Sequence, residues 1–331
     1  MPAPNSVGSA PQDPALRLFP VPGTALFFFR NARVLGADGV VISPDNRVFA
    51  EFTYVDEPGG IDSHSVFRRR RFPRSRPLPG WYATLCYPSS SAYYHWIVES
   101  LPRLRLLEPH LAALDGVFVP GYMASSMRES LLMLGVRESQ LIPLDMSSHF
   151  APQHLLVPKY CAGLDIPDWV PRYLRDKVFA GRPPCVPNRR VYVSRADTGR
   201  RRVTNEKALV PILERWGFEI VRPRDLGFAE QAELFRACRV VVGATGAGLA
   251  NAIFCQPGAA LLTLQPSAEV GPHVFYSLAG AAGLEYWDLA GHPTENAGDC
   301  APEHADFEVD PVALEQTIAA ILHGSKEPLR E

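Results

Sequence analysis

From Val240 to Ala268 the chain carries no charged side chain, and this stretch, beginning "VVVGATGAGLANAIF", constrains the fold more than any other. A run of that length exceeds the roughly 20 residues that a membrane-spanning helix needs. Its interior argues against spanning. Gly243, Gly246, Gly248 and Gly258, with Pro257 and Pro266, would interrupt one helix repeatedly, and Asn251, Gln256 and Gln265 would need hydrogen-bond partners in lipid. A strand, a short helix and a second strand accommodate the same residues better.

The neighbouring sequence extends that pattern. "RRVYVSR" alternates and is β-branched, and "NEKALVPILERWG" sets Leu209, Ile212, Leu213 and Trp216 at the spacing of a buried helical face. "FEIVRP" reads as a strand, "FAEQAELFRACR" as a helix, "GAALLTLQP" as a strand, "HVFYSLAGAAG" as a helix and "EYWDL" as a strand. Such a βαβαβ succession predicts a doubly wound parallel sheet with helices on both faces. A terminal helix starts at Pro311.

The first half is less regular. Short β-rich runs between Thr24 and Val55 suggest a small antiparallel sheet, followed by an Arg- and Pro-rich loop, "FRRRRFPRSRPLPG". "GWYATLCYP" reads as a strand and "SSSAYYHWIVESLPRLRLLEPHL" as a helix that Pro102 kinks or ends. "GVFVP", "ASSMRESLLMLG" and "SQLIPLD" then alternate as strand, helix and strand, whereas Leu155 to Pro187 reads as a connection. With 331 residues, two domains are expected. We divide the chain into a loose tail (1–23), an N-terminal domain (24–180), a C-terminal domain (181–308) and a terminal helix with its tail (309–331).

A net charge of −2 gives no overall basic field, so no nucleic-acid partner is expected and any anion must be held locally. The six cysteines lie far apart without a CxxC pair and read as reduced thiols. The N-terminal residues lack the basic start and apolar run of a signal peptide. The expected compartment is therefore the cytoplasm, with at most peripheral contact at the inner face of a membrane.

"GATGAGLAN" sits where a parallel strand gives way to a helix, the place where ligands bind in open α/β sheets and where helix N–H groups attract anions. Its G-x-x-G-x-G spacing matches neither the dinucleotide fingerprint nor the Walker loop. A tight turn without a ligand explains it equally well on its own. Arg195 closes the strand "VYVSR", and Arg200, Arg201 and Arg202 follow, so counter-charge for a phosphate gathers at the same sheet edge. Asn205 and Glu206 open the next helix, where capping is their simplest role, and Glu230 and Gln231 sit early in another.

Taken in order, "RVYVSRADTGRRRVTNEKALVPILERWGFEIVRPRDLGFAEQAELFRACRVVVGATGAGLANAIFCQPGA" resembles the signature region of glycosyltransferase family 61, and "YYHWIVESLPRL" resembles that family's N-terminal H-W motif. The resemblance implies an α/β, GT-B-like architecture: two Rossmann-like domains facing a cleft, here with a small β-rich N-terminal segment, and a metal-independent, inverting transfer. It implies no cofactor, a nucleotide-sugar donor (a UDP-sugar is expected) and a glycan or lipid-linked acceptor, as in capsular or exopolysaccharide synthesis. Donor binding falls to Arg195, Arg201, Arg202, Asn205, Glu230, Thr245, Gly246, Ala247, Gly248 and Asn251. No Asp-x-Asp occurs, so the usual metal-clipping carboxylate pair is missing and no metal ligands are assigned. Two positions depart from the family pattern: Thr245 stands where histidine is usual, and Thr263 where the next strand tends to carry an acidic residue.

An inverting transfer needs a base for the acceptor hydroxyl. On "AYYHWIVES", a helical wheel sets Tyr94, Ile97, Val98 and Leu101 on one face and His95 and Glu99 one turn apart on the other. Without the family likeness that pair would be an ordinary surface contact. With it, His95 is the favoured base and Glu99 its orienter, although Glu99 alone could serve. The Arg68–Arg76 run could hold an anionic acceptor, and Trp81 or Tyr82 could stack on a sugar; a solvated loop and core packing are the plainer readings. Two rival functions stay open: an enzyme resembling polysaccharide pyruvyltransferases, and a glycan- or nucleotide-binding protein without catalysis.

Overall fold

The computed structural model describes residues 5–7, 23–48, 64–68, 71–159, 165–267, 273–294 and 304–324. The chain divides into two compact units, one spanning 21–163 and the other 1–20 together with 164–331. Strand β1 (Asn5–Val7), within the expected tail, pairs in parallel inside the sheet of the latter unit.

The unit spanning 21–163 is built on a mixed seven-stranded sheet. Its strands are β2 (Leu26–Arg30), β3 (Arg33–Leu35), β4 (Val40–Ile42), β5 (Arg76–Thr84), β6 (Gly116–Pro120), β7 (Leu141–Leu144) and β8 (His149–Pro158). They lie in the order β4-β3-β8-β5-β6-β7, with β2 also on β8. β5, β6, β7 and β8 run parallel, while β2 and β3 are antiparallel to β8. The early β-rich runs therefore join the main sheet instead of forming a separate small one. Of the run from Arg47 to Val55, Arg47 and Val48 lie among the described residues, Val48 in an isolated bridge to Ile42. One face buries Tyr82, Phe118, Leu144, Leu155 and Val157, with Phe27 and Phe29 packed against them.

Two expectations for this unit change. Residues 155–158, expected as the start of a connection, belong to β8, the strand with most partners in the sheet. β5 begins inside the Pro-rich loop at Arg76, and a register shift between Leu78 and Trp81 accommodates the irregular "PLPG" backbone.

The segment expected as one helix kinked at Pro102 changes type three times. It is α1 (Tyr93–His95), a π turn over Trp96–Ser100, a 3₁₀ turn over Leu101–Arg103 and α2 (Leu104–Leu107). Pro102 has no N–H for the carbonyl one turn back and its ring crowds that turn, so the backbone widens just before it. Trp96, fully buried, donates its indole N–H to Ser130 Oγ at 2.9 Å. Ser130 belongs to α3 (Ser125–Met133), which is thereby tied to the H-W segment. Arg103 is buried and donates to the Leu85 and Pro158 carbonyls, fastening the loop after β5 beneath α1.

In the other unit, α4 (Trp169–Val178) precedes an all-parallel six-stranded sheet of order β1-β13-β12-β11-β9-β10. The remaining strands are β9 (Arg189–Val193), β10 (Phe218–Val221), β11 (Cys238–Ala244), β12 (Ala260–Gln265) and β13 (Glu285–Ala290). The helices are α5 (Glu206–Arg215), α6 (Phe228–Arg236), α7 (His273–Ala282) and α8 (Pro311–His323). On one face Leu209 and Leu213 of α5 and Leu314, Ile318 and Ile321 of α8 pack on Tyr192, Val240, Val242 and Leu262. Each such aliphatic side chain contributes about 1.5–3 kcal/mol relative to exposure. On the opposite side, α4 is pinned where Arg175 donates to the Ile253 and Ala282 carbonyls at 2.8 and 2.9 Å. The uncharged stretch becomes β11, a 3₁₀ helix over Ala247–Phe254 and β12, all central to this sheet. Among the described residues no helix is long and apolar enough to cross a membrane.

Candidate functional site

Two clusters hold the residues singled out by sequence, one in each unit. In the unit spanning 164–331, β9 and β11 are adjacent parallel strands that end side by side, Val193 opposite Gly243. Their exits bring Arg195 against the turn Thr245–Gly246–Ala247. Gly246 is extended, at φ 174° and ψ 169°, a backbone shape open to any residue. What requires glycine there is space: a methyl group on its Cα would overlap the Arg195 guanidinium. The 3₁₀ helix then starts at Ala247, beyond the end of β11, and the first N–H groups of a helix have no partner further along it.

Arg195 is held rather than loose. Its Nε donates to the Arg201 carbonyl at 3.3 Å and its Nη2 to the Arg200 carbonyl at 3.0 Å. Burial, and then the charges of Arg201 and Arg200, lower its pKa to about 10. It stays protonated at neutral pH, so a desolvated cation stands among like charges beside a helix start. An anion placed there would relieve both effects.

Other members of the expected donor set serve the scaffold. Arg202 grips Asp306 through its backbone N–H, Nε and Nη2 at 2.8, 2.9 and 2.6 Å. Asn205 uses both ends of its amide on Val309, donating to its carbonyl at 2.7 Å and accepting its N–H at 3.1 Å. Glu206 accepts from Tyr192 Oη and Ser194 Oγ, which steadies the strand end that carries Arg195. Glu230 caps α6 by accepting the Gly227 N–H at 2.8 Å. Asn251 is fully buried and donates to Gln231 Oε1 and the Gly248 carbonyl, at 2.7 and 3.1 Å. Arg201 adopts a left-handed backbone at φ 56°. Thr245, Ala247 and Gly248 remain partly accessible at the turn.

Thr263 is fully buried and bonds Tyr286 Oη at 2.5 Å. Its neighbour in register on β13 is Asp288, whose carboxyl is pushed up to about 6 by burial. Sequence reading missed Asp288, although an acid between Trp287 and Leu289, both apolar, was a visible signal. Gln265, at the end of β12, is also buried, and its Oε1 has no hydrogen-bond partner.

In the unit spanning 21–163, the expected pair forms: His95 Nδ1 lies 2.8 Å from Glu99 Oε2. It is not the plain surface pair of a helical wheel. The π turn buries all five residues Trp96–Ser100, so the Glu99 side chain is only 5% exposed while His95 is 39% exposed. A carboxylate can only accept, so the Nδ1 proton points to Glu99 and Nε2 carries the lone pair. The pair thus offers one basic nitrogen on a ring fixed from behind. The arginines of the 68–76 run that are described, Arg68, Arg71, Arg74 and Arg76, are exposed; Arg69 and Arg70 lie outside the described residues. Among the described residues no group of three or more His, Cys, Asp or Glu side chains could hold a metal ion.

A family model described as Glycosyltransferase 61 matches residues 93–262, just over half of the chain, and the match runs from the H-W segment through the glycine turn into β12. No curated protein matches the sequence.

Proposed function

The chain belongs to glycosyltransferase family 61, and from that premise we propose a GT-B division of labour in which the 164–331 unit binds a nucleotide-sugar donor and the 21–163 unit activates the acceptor. The observation that carries this reading is the desolvated Arg195 guanidinium seated against Gly246 at the start of a helix. That arrangement suits a diphosphate, through one fixed cation and several backbone N–H groups. His95 Nε2 removes the proton of an acceptor hydroxyl, with Glu99 holding the ring. The freed oxygen attacks the anomeric carbon, the bond from that carbon to the diphosphate oxygen breaks, and the departing diphosphate is stabilised at the glycine turn. Attack opposite the leaving group inverts the anomeric centre. Arginine and backbone N–H groups do the work of charge neutralisation, so the transfer proceeds without a metal. We take the donor as a UDP-sugar and the acceptor as a glycan or lipid-linked sugar of a cell-surface polysaccharide, handled on the cytoplasmic side of the membrane.

Thermal shift with UDP, GDP, CDP and dTDP tests the donor half. A nucleotide at about 100 times its dissociation constant should stabilise the wild type by roughly 2.7 kcal/mol. Arg195→Ala and Gly246→Ala should both lose that shift, the second because its methyl group displaces the guanidinium. A shift retained in full by both variants would place the donor elsewhere.

A further inference from the structure

The 21–163 unit also displays a cluster of aromatic rings that the proposed chemistry does not use. Phe28 on β2, His154 on β8 and Trp81 on β5 come from three neighbouring strands. Their rings are mutually stacked: Trp81 and His154 have centroids 4.4 Å apart with planes 21° apart, Phe28 and Trp81 5.3 Å and 24°, Phe28 and His154 5.8 Å and 23°. Phe28 is 48% and Trp81 41% exposed, among the most exposed large apolar side chains described.

The presentation of Trp81 is built. The backbone before it bulges at Gly80, whose φ of 98° favours glycine, and a side chain there would strike Asp115. Asp115 Oδ2 accepts the Trp81 N–H at 2.7 Å, and Gln153 Oε1 accepts the Gly80 N–H at 3.1 Å. Two polar side chains thus pin an irregular strand that aims an indole outward, a use that bulges commonly serve.

We propose that Phe28, Trp81 and His154 form a binding surface for a neutral oligosaccharide. The rim decides the class. Arg30 pairs with His154 in register on the same face, and Asp115 holds the Trp81 backbone N–H, so an exposed cation and an exposed anion both lie beside the cluster. Mixed signs disfavour an anionic or cationic ligand, and the apolar area is too small and interrupted for a protein interface. A sugar presents an apolar C–H face to rings and a rim of hydroxyls that both donate and accept. The three ring centroids lie within 5.8 Å of one another, so the cluster has the width of a single sugar ring. Trp81 lies three residues, about 10 Å of strand, before the end of β5. The proposal rests on the transferase reading only in taking its occupant as the acceptor chain.

The test uses the full chain with cello-, xylo-, malto- and chito-hexaose, read by intrinsic tryptophan fluorescence and calorimetry. At least one should bind, and Trp81→Ala and Phe28→Ala should each weaken it about tenfold or more, while Trp81→Phe restores part of the affinity. Melting temperatures of the variants should match the wild type, which separates lost contact from lost fold. No binding across the panel, or binding indifferent to Trp81→Ala, overturns the proposal. So does a wild-type dimer in sedimentation that Trp81→Ala converts to monomer, or binding to anionic-lipid vesicles that it abolishes. Nucleotide-induced thermal shift and sugar release from donors do not involve these rings, so failure of the transferase reading registers there and not here.

Discussion

Replacing Asp288 by asparagine should make the protein more stable at neutral pH and leave it unchanged in acid. Burial lifts this carboxyl from 3.8 to about 6. The folded chain therefore keeps the proton through a range in which the unfolded chain has released it. Stability falls as pH rises from about 4 to about 6, and the whole cost is present above that window. At 1.36 kcal/mol per pH unit, the gap corresponds to roughly 3 kcal/mol, and partial access of water brings the expected gain to about 1–3 kcal/mol. Asparagine preserves size and removes the charge. Thermal melts at pH 7.5 should show the transition of the 164–331 unit rising by about 2–4 °C for each kcal/mol. At pH 4 the variant and the wild type should melt together. Equal stabilisation at both pH values, or none at pH 7.5, would refute the reasoning, because the ionised carboxylate would then have a compensating partner. The side chain shares its register position with Thr263 and, one strand further, Gly243. A charge kept there at the expense of stability suits a site rather than a core.

His95→Ala should abolish sugar transfer yet leave nucleotide-induced thermal shift intact, whereas Glu99→Gln should lower the rate and retain part of it; unchanged turnover in His95→Ala eliminates the base. Arg103→Met should destabilise the 21–163 unit by more than about 2 kcal/mol in urea melts, since the Leu85 and Pro158 carbonyls lose a buried donor. Asp310→Ala should cost about 1 kcal/mol, because its carboxylate caps α8 at the Val312 N–H, 2.9 Å away.

The 164–331 sheet was legible because its central strands β11 and β12 are buried on both faces and its helices carry ordinary stops. Gly217 after α5 and Pro311 at the start of α8 punctuate apolar runs whose periods are unambiguous. The 21–163 sheet was less so. β8 reads "HFAPQHLLVP", with two prolines and no clean alternation, and what makes it a strand is three partners brought from residues 26–30, 33–35 and 76–83. Nothing local in those ten residues announces them. The arginine cluster has the same cause: Arg202 is occupied by Asp306, which lies 104 positions away, leaving Arg195 to meet the glycine turn.

The proposed catalytic pair exposes a different limit. Spacing alone joined His95 to Glu99, and the contact exists at 2.8 Å. A period of 3.6, however, put both on a solvent face, while the wider π turn draws Glu99 inward together with Trp96, Ile97, Val98 and Ser100. The difference matters for chemistry, since an exposed carboxylate swings freely and a buried one fixes the ring it accepts from. Pro102 was the visible clue. Its effect was expected as a kink or an end, but relieving the crowding it causes required a change in residues per turn upstream of it. A proline two turns after His95 therefore bears on the proposed base as well as on the backbone, and Pro102→Ala should restore regular α geometry, turn Glu99 toward solvent and lower transfer without loss of fold. Retention of full activity in that variant would detach the π turn from catalysis.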